Sequence, residues 1–125
     1  MNREVGTKWV EALRSGKFAQ GKSRLNSEGN LCCLGVLCEL AVEAGVVEKI
    51  GSSTVRYGGL VCTLPPEVAT WAELHGIGND AGTLPRPLSS ADQTEEAKSL
   101  VCLNDGWDYN FEQIAQVIED QMDDL

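Results

Sequence analysis

Residues 31–38 read Leu31-Cys32-Cys33-Leu34-Gly35-Val36-Leu37-Cys38, a dense apolar run. The apolar character continues beyond this run, broken by charge only at Glu39 and Glu43, until Gly45 provides a natural helix stop. A helix that is apolar nearly all round is normally central to a hydrophobic core. The sequence therefore predicts a buried second helix over residues 34–44.

A basic stretch that contains a glycine lies shortly before this helix: Gln20-Gly21-Lys22-Ser23-Arg24. Glycine lets a backbone approach a phosphate closely, and Lys and Arg supply positive charge. Free N–H groups at the start of the second helix would add a favourable field. We therefore expect a small phosphorylated ligand here, bound by Gln20, Lys22 and Arg24. A solvated hairpin arm is the alternative, because the spacing differs from that of a P-loop.

Periodicity and turn residues outline the other elements of the chain. Val5, Trp9 and Leu13 repeat on one helical face, which predicts a first helix over residues 3–15. The remaining predicted elements are a hairpin over 17–33 with a turn-rich loop at 26–30, a tight hairpin of 54–57 and 60–63 around Gly58-Gly59, a third helix from Pro65-Pro66 to Gly76, a short strand at 100–103, and a last helix capped by Asn110 with Gln113.

These elements predict an α+β fold, with about four helices packed on a small antiparallel sheet or hairpins. A chain of 125 residues is the right size for one compact domain, so we expect a single domain over 1–125. The range 77–99 lacks periodicity and is rich in glycine, proline and serine. We therefore predict an irregular loop at about 77–99, either a mobile segment or a lid.

The net charge of −9 argues against binding to a nucleic-acid polymer, because Lys and Arg supply most of that affinity. No stretch approaches the roughly 20 apolar residues that span a bilayer, and the first residues lack the apolar segment of a signal peptide. We therefore expect no membrane contact and a cytoplasmic location. The acidic residues near the end predict a solvated helix face: Glu112, Glu119, Asp120, Asp123 and Asp124.

Five cysteines occur, at positions 32, 33, 38, 62 and 102. A disulfide framework is not expected in a cytoplasmic chain. The spacing does not match a structural zinc site, and His75 is the one histidine. Buried apolar cysteines explain the pattern best, and a nucleophilic cysteine is the alternative. We expect no metal, no cofactor and no catalytic residue, and His75 fits a helix end better than a base.

A second candidate binding segment is Asn104-Asp105, followed by Gly106 and Trp107. Asn and Asp side chains can bind the hydroxyl or amide groups of a ligand, and the Trp107 ring could stack on a base. Two structural alternatives stay open. Asn-Asp-Gly is a common turn before a helix, and the aromatic ring could cover the last helix instead.

The chain carries a set of short motifs: Trp9-Val10-Glu11-Ala12-Leu13-Arg14-Ser15-Gly16, Gln20-Gly21, Cys32-Cys33-Leu34-Gly35-Val36-Leu37-Cys38, Leu64-Pro65, Trp71-Ala72, Leu103-Asn104-Asp105, and Phe111-x2-Ile114-Ala115-x2-Ile118-Glu119. This set resembles an uncharacterised family of small bacteriophage and prophage proteins. The likeness covers most of the chain except residues 46–63 and 77–99. The family brings no catalytic motif with it.

By analogy, the resemblance implies an accessory protein that counters host defence inside a bacterial cell. One such class consists of sponges, which bind and sequester cyclic ADP-ribose-type or cyclic oligonucleotide immune signals without cleaving them. Two alternatives stay open: an acidic module that inhibits a host enzyme through its last helix, and an enzyme that degrades the same signal with Cys33 or His75. A homodimer is also kept open, because pockets often form between subunits.

Overall fold

A computed structural model describes residues 1–76, 80–92 and 94–125. Its helices are α1 (Arg3–Arg14), α2 (Cys33–Glu43), α3 (Pro66–Ala72) and α4 (Phe111–Gln121), with a π-helical turn at Cys102–Gly106 and a 3-10 turn at Met122–Asp124. None of the helices in these ranges is both long and apolar enough to cross a membrane.

The strands are short and form three small sheets. They are β1 (Ala19–Gln20), β2 (Asn26–Ser27), β3 (Asn30–Leu31), β4 (Lys49–Ile50), β5 (Arg56–Tyr57), β6 (Thr83–Leu88) and β7 (Ala97–Ser99). The first sheet has the order β1-β3-β2, while β4 pairs with β5 and β6 pairs with β7. All these pairs are antiparallel except β1 with β3, which is parallel. The expected α+β fold with four helices and small sheets is confirmed.

Helix α2 lies at the centre of the core, as its composition predicts. Its residues from Cys33 to Cys38 are all buried. The indole Nε1 of Trp9 in α1 donates to the carbonyl oxygen of Cys33 at 3.0 Å. Helix α1 also packs along α4. The apolar run therefore forms the buried central helix, and α1 packs against both α2 and α4.

Both terminal helices begin at side-chain caps. Asn2 Oδ1 accepts from the backbone N–H of Val5 at 3.0 Å at the start of α1. The predicted capping box at the start of α4 is present: Asn110 Oδ1 accepts from Gln113 N at 2.8 Å, and Gln113 Oε1 accepts from Asn110 N at 2.9 Å. These caps satisfy N–H groups that a helix start leaves free.

The predicted hairpin at 17–33 is present in part, with different strand positions. The expected loop at 26–30 itself contains β2, the whole two-residue turn and the first residue of β3. The turn residues Glu28 and Gly29 have φ of 54° and 93°, the left-handed conformation of a type I′ hairpin turn. The tight turn at Gly58-Gly59 is confirmed, because Tyr57 and Leu60 exchange backbone hydrogen bonds across it at 2.9 and 3.0 Å.

Two expectations for the second half of the chain are wrong. The irregular loop expected at 77–99 contains β6 and β7, which pair antiparallel; residues 77–79 and 93 lie outside the described residues. The strand expected at 100–103 is helical and leads into the π-helical turn. Strand β6 was not predicted from the sequence because it contains Pro85 and Pro87, and proline is normally disfavoured in strands.

Candidate functional site

The two predicted binding segments, residues 20–24 and 104–107, meet in the folded chain. Gln20 Nε2 donates to Asn104 Oδ1 at 2.9 Å, although these residues are 84 positions apart. The same amide group donates to the carbonyl oxygen of Tyr109 at 2.7 Å. We call residues 20–24 the arm, residues 104–109 the turn, and their meeting place the junction.

Asn104 is the centre of the junction and is fully buried. Its Nδ2 donates to Gly21 O at 2.9 Å and to Asp105 Oδ1 at 2.8 Å. Its Oδ1 accepts from Gln20 and from the backbone N–H of Cys33 at 3.3 Å. A primary amide offers two donors and two acceptor lone pairs, and all four are used. Asn104 therefore joins the arm, the turn and the start of α2.

Residue 21 must be a glycine because the backbone of β3 passes very close to it. A Cβ atom at Gly21 would lie 2.8 Å from the carbonyl oxygen of Asn30, closer than such atoms come in proteins. The backbone N–H of Gly21 also donates to Leu31 O at 2.7 Å. The glycine that the sequence suggested for contact with a phosphate therefore serves contact between the arm and β3.

The outward side of the junction carries exposed charges of both signs. The Lys22 ammonium forms an ion pair with Asp108, and the Ser23 N–H donates to Asp105 Oδ2 at 3.2 Å. The exposed Arg24 side chain forms no ion pair with any described residue. We call this outward side, with residues 22–24 of the arm and Asp105 and Asp108 of the turn, the rim; the formal charges of its two cations and two carboxylates cancel.

Two rim residues have a left-handed backbone. The φ angle is 69° at Ser23 and 55° at Asp108. Such a conformation is uncommon for residues other than glycine, and Asp and Asn adopt it most readily. It directs the Ser23 N–H toward Asp105 and holds Asp108 beside Lys22. The backbone conformation of these two residues therefore determines the geometry of the rim.

Trp107 and Tyr109 cover part of the core beside the rim. Their rings meet edge to face, with centroids 5.8 Å apart and an interplanar angle of 68°. Both side chains are partly buried against the hydrophobic core. The structural alternative for Trp107, a hydrophobic cover, is thus realised. Its stacking on a ligand base stays a prediction.

The three buried cysteines, Cys32, Cys33 and Cys38, are poor nucleophiles. Burial raises the pKa of the Cys32 thiol to about 11 and raises the pKa of Cys33 well above its ordinary value. Burial likewise raises the pKa of Cys38. Thiolate is the reactive form, so these three thiols are protonated and unreactive at neutral pH. The fully buried Cys33 therefore does not fit the alternative of a signal-degrading enzyme.

The described residues give no positive sign of catalysis or metal binding. Within ranges 1–76, 80–92 and 94–125, no three His, Cys, Asp or Glu residues are close enough to hold a metal ion. His75 is exposed and lines a hollow of about 530 Å³ near Asp80 and Leu125. A second hollow, of about 480 Å³, lies between α1 and α2 and includes Phe18. Arm and turn residues line neither hollow.

Three features of the junction had no signal in the sequence. The contact of Asn104 with Cys33 joins residues 71 positions apart, and hydrogen bonds of that range leave no periodic pattern. Asp108, the partner of Lys22, was not a candidate, because an acid between two aromatic residues has no distinctive motif. The left-handed backbone at Ser23 and Asp108 likewise follows from the fold.

The fold and the junction define the class: a small α+β domain whose arm and turn are joined by a buried asparagine. The chain belongs to the family described as Domain of unknown function (DUF8296), whose model matches residues 1–122. No curated protein and no solved structure matches the chain significantly.

Proposed function

We propose that this protein binds a small phosphorylated, nucleotide-type ligand on the rim of the junction and sequesters it without cleavage. The observation that carries the proposal is that the arm meets the turn, through hydrogen bonds of Gln20 and Gly21 with Asn104. The ion pair of Lys22 with Asp108 and the hydrogen bond from Ser23 to Asp105 join the same two segments. The finer proposal is that the ligand is a host immune signal of the cyclic ADP-ribose or cyclic oligonucleotide type.

Each rim residue has a distinct role in the proposal. Arg24, which forms no ion pair with the described residues, holds a phosphate through its planar guanidinium. Lys22 supplies a second positive charge. Asp105 accepts from a ribose hydroxyl, and Trp107 stacks on the base. Gln20 and Asn104 position the rim, because the Nε2 donors of Gln20 and the whole Asn104 amide are already used inside the junction.

Sequestration fits the junction better than cleavage. The buried thiols have raised pKa values and are protonated at neutral pH. Cleavage of a phosphate ester would need a nucleophile, a general base or a metal, placed within reach of the ligand. The rim offers charge and hydrogen bonds, which are the requirements of stoichiometric binding.

The acidic-module alternative has less support, because much of the acidic surface is neutralised within the chain. Arg14 bonds to both Glu112 and Glu119, Arg3 pairs with Asp123, and Arg86 pairs with Asp124. The pKa of Arg14 is raised, chiefly by its hydrogen bond to Glu119. A nucleic-acid mimic needs unpaired negative charge along its surface, and these pairs reduce it.

Calorimetry tests the proposal with cyclic ADP-ribose isomers and cyclic dinucleotides as probes. We expect one probe to bind stoichiometrically, and to be recovered intact after heat denaturation of the complex. The double variant Lys22→Gln/Arg24→Gln should lose affinity by at least about tenfold, since two phosphate contacts are removed.

A matched double variant controls for net charge. Lys8→Gln/Arg3→Gln removes two exposed cations of α1 that lie outside the junction, and it should bind like the wild type. Absence of binding to every probe, together with no protection against host defence in infected cells, would contradict the proposal. Recovery of a cleaved probe would instead support the enzyme alternative.

A further inference from the structure

The donors on the rim are already used by carboxylates of the same chain. The Lys22 ammonium is paired with Asp108, and the Ser23 N–H donates to Asp105 Oδ2 at 3.2 Å. An ammonium group and a backbone N–H are also the donor types that hold phosphate oxygens in proteins. The two aspartates therefore compete directly with any anionic ligand for these donors.

The two aspartates differ in how firmly they are held. Asp105 is half-buried and also accepts from Asn104 Nδ2 at 2.8 Å, so it belongs to the junction itself. The Asp108 side chain is 72% exposed, and its partner Lys22 is 50% exposed. Exposed ion pairs of this kind contribute little to stability. Asp108 is therefore the carboxylate that a ligand can replace.

We propose that Asp108 is an internal competitor for the phosphate site, which the ligand must displace from Lys22. This inference rests on the proposed function and adds to it a residue that sets affinity. The ion pair between Lys22 and Asp108 must break before an anion can bind the Lys22 ammonium. The pair therefore lowers the affinity of every such anion by a similar factor.

The test uses Asp108→Asn, which removes the charge and keeps the shape of the side chain. Asparagine also tolerates the left-handed backbone at this position, where φ is 55°. The matched control is Asp123→Asn. Its side chain is 74% exposed against 72% for Asp108, and it is also ion-paired, with Arg3. Both variants change the net charge equally, and Asp108→Asn alone alters the rim.

Binding is measured with inorganic phosphate, inorganic pyrophosphate and cyclic ADP-ribose, by calorimetry and by the amide NMR signals of Ser23 and Arg24. We expect Asp108→Asn to bind pyrophosphate about threefold more tightly than the wild type, the gain typical of losing an exposed ion pair. Inorganic phosphate should gain by a similar factor, because both anions must displace the same carboxylate from Lys22. Asp123→Asn should equal the wild type, and Lys22→Gln should weaken binding.

The outcomes separate this inference from the proposed function. If the wild type and Asp108→Asn bind pyrophosphate with equal affinity, while Lys22→Gln binds it more weakly, the role of Asp108 is overturned. The proposed function then still stands. An equal gain in Asp123→Asn also overturns it, because the effect would then be one of net charge. Absence of binding by every variant to all three probes and to the cyclic dinucleotides overturns both.

Discussion

Asn104 shows how a single buried residue can join distant segments of a chain. The side chain is fully buried, and its amide makes four hydrogen bonds to three separate segments of the chain. A buried polar group is costly unless its partners are all present, and then it specifies one arrangement. The sequence suggested ligand recognition or turn formation for this residue. In the structure its side chain joins the arm, the turn and the start of α2, and ligand recognition by Asn104 stays a prediction.

Replacing Asn104 by Asp tests that role. The change turns the Nδ2 donor into an acceptor that faces Gly21 O and Asp105 Oδ1, and it brings a charge into a buried site. We expect the free energy of unfolding to fall by about 2–4 kcal/mol, as for loss of a buried partner. Urea denaturation measures the change.

The control for this prediction is Asn30→Asp, at an exposed position of β3. It should change stability by less than about 0.5 kcal/mol, as most exposed substitutions do. If Asn104→Asp were as stable as this control, the hydrogen bonds of Asn104 would not hold the junction together.

Helix α2 illustrates the scale of the element, where one glycine permits a close contact. A Cβ atom on Gly35 would lie 1.9 Å from the carbonyl oxygen of Leu25, a collision with backbone. Glycine in a helix normally costs about 1 kcal/mol relative to alanine. Glycine is nevertheless required at this position, because α2 lies directly against the segment that follows the arm. Gly35 thus brings the central helix close to the junction.

The variants Gly35→Ala and Gly6→Ala should have different effects on stability. At Gly6 in α1, the added Cβ would meet Met122 Sδ at 2.7 Å, and this flexible side chain can move away. We expect Gly6→Ala to change stability by no more than about 1 kcal/mol, and Gly35→Ala to destabilise by about 3 kcal/mol or more. Thermal unfolding of both variants measures the difference. Similar melting temperatures would contradict the close contact at Gly35.

The sequence predicts the positions of the four helices because their apolar periodicity and caps are local signals, although α3 ends at Ala72 and not near the expected Gly76. The second helix was expected over 34–44 and spans Cys33–Glu43, and the capping box at Asn110 is present. The strands were less predictable, because two-residue strands such as β1 carry no alternation and depend on their partners. The meeting of arm and turn could be proposed from residue chemistry. The inward orientation of Asn104 could not, since it depends on contacts made only after folding.

For the whole molecule, the acidic C-terminal region has a structural role as well as a charge. Gln121, Met122 and Leu125 are buried, with 4%, 6% and 2% of their surface exposed. The Gln121 side chain makes hydrogen bonds with both the N–H and the carbonyl oxygen of Arg86, at 3.0 and 2.9 Å. The region therefore packs β6 against α4 while its acidic residues face the solvent.

This dual role determines how the acidic-module alternative should be tested. Deleting residues 119–125 removes buried Met and Leu side chains, each of which contributes about 1.5–3 kcal/mol. We expect the deletion to lose most of the stability of a small domain, as measured by urea denaturation. If the truncated protein failed to capture a partner, the cause would then be unfolding and not the missing acidic surface. The informative variant is Glu119→Gln/Asp120→Asn/Asp123→Asn/Asp124→Asn, which removes the charge and keeps the buried side chains.

We expect the fourfold amide variant to fold, because the four acidic side chains that it changes are exposed. Its melting temperature should stay within a few degrees of the wild type, and its binding of cyclic nucleotide probes should be unchanged, since the rim is intact. A pull-down from host lysate with both forms then separates the two functions. Retention of any captured protein by the variant argues against an acidic interaction surface. Selective loss of one captured enzyme, without loss of stability, would favour the acidic module over sequestration.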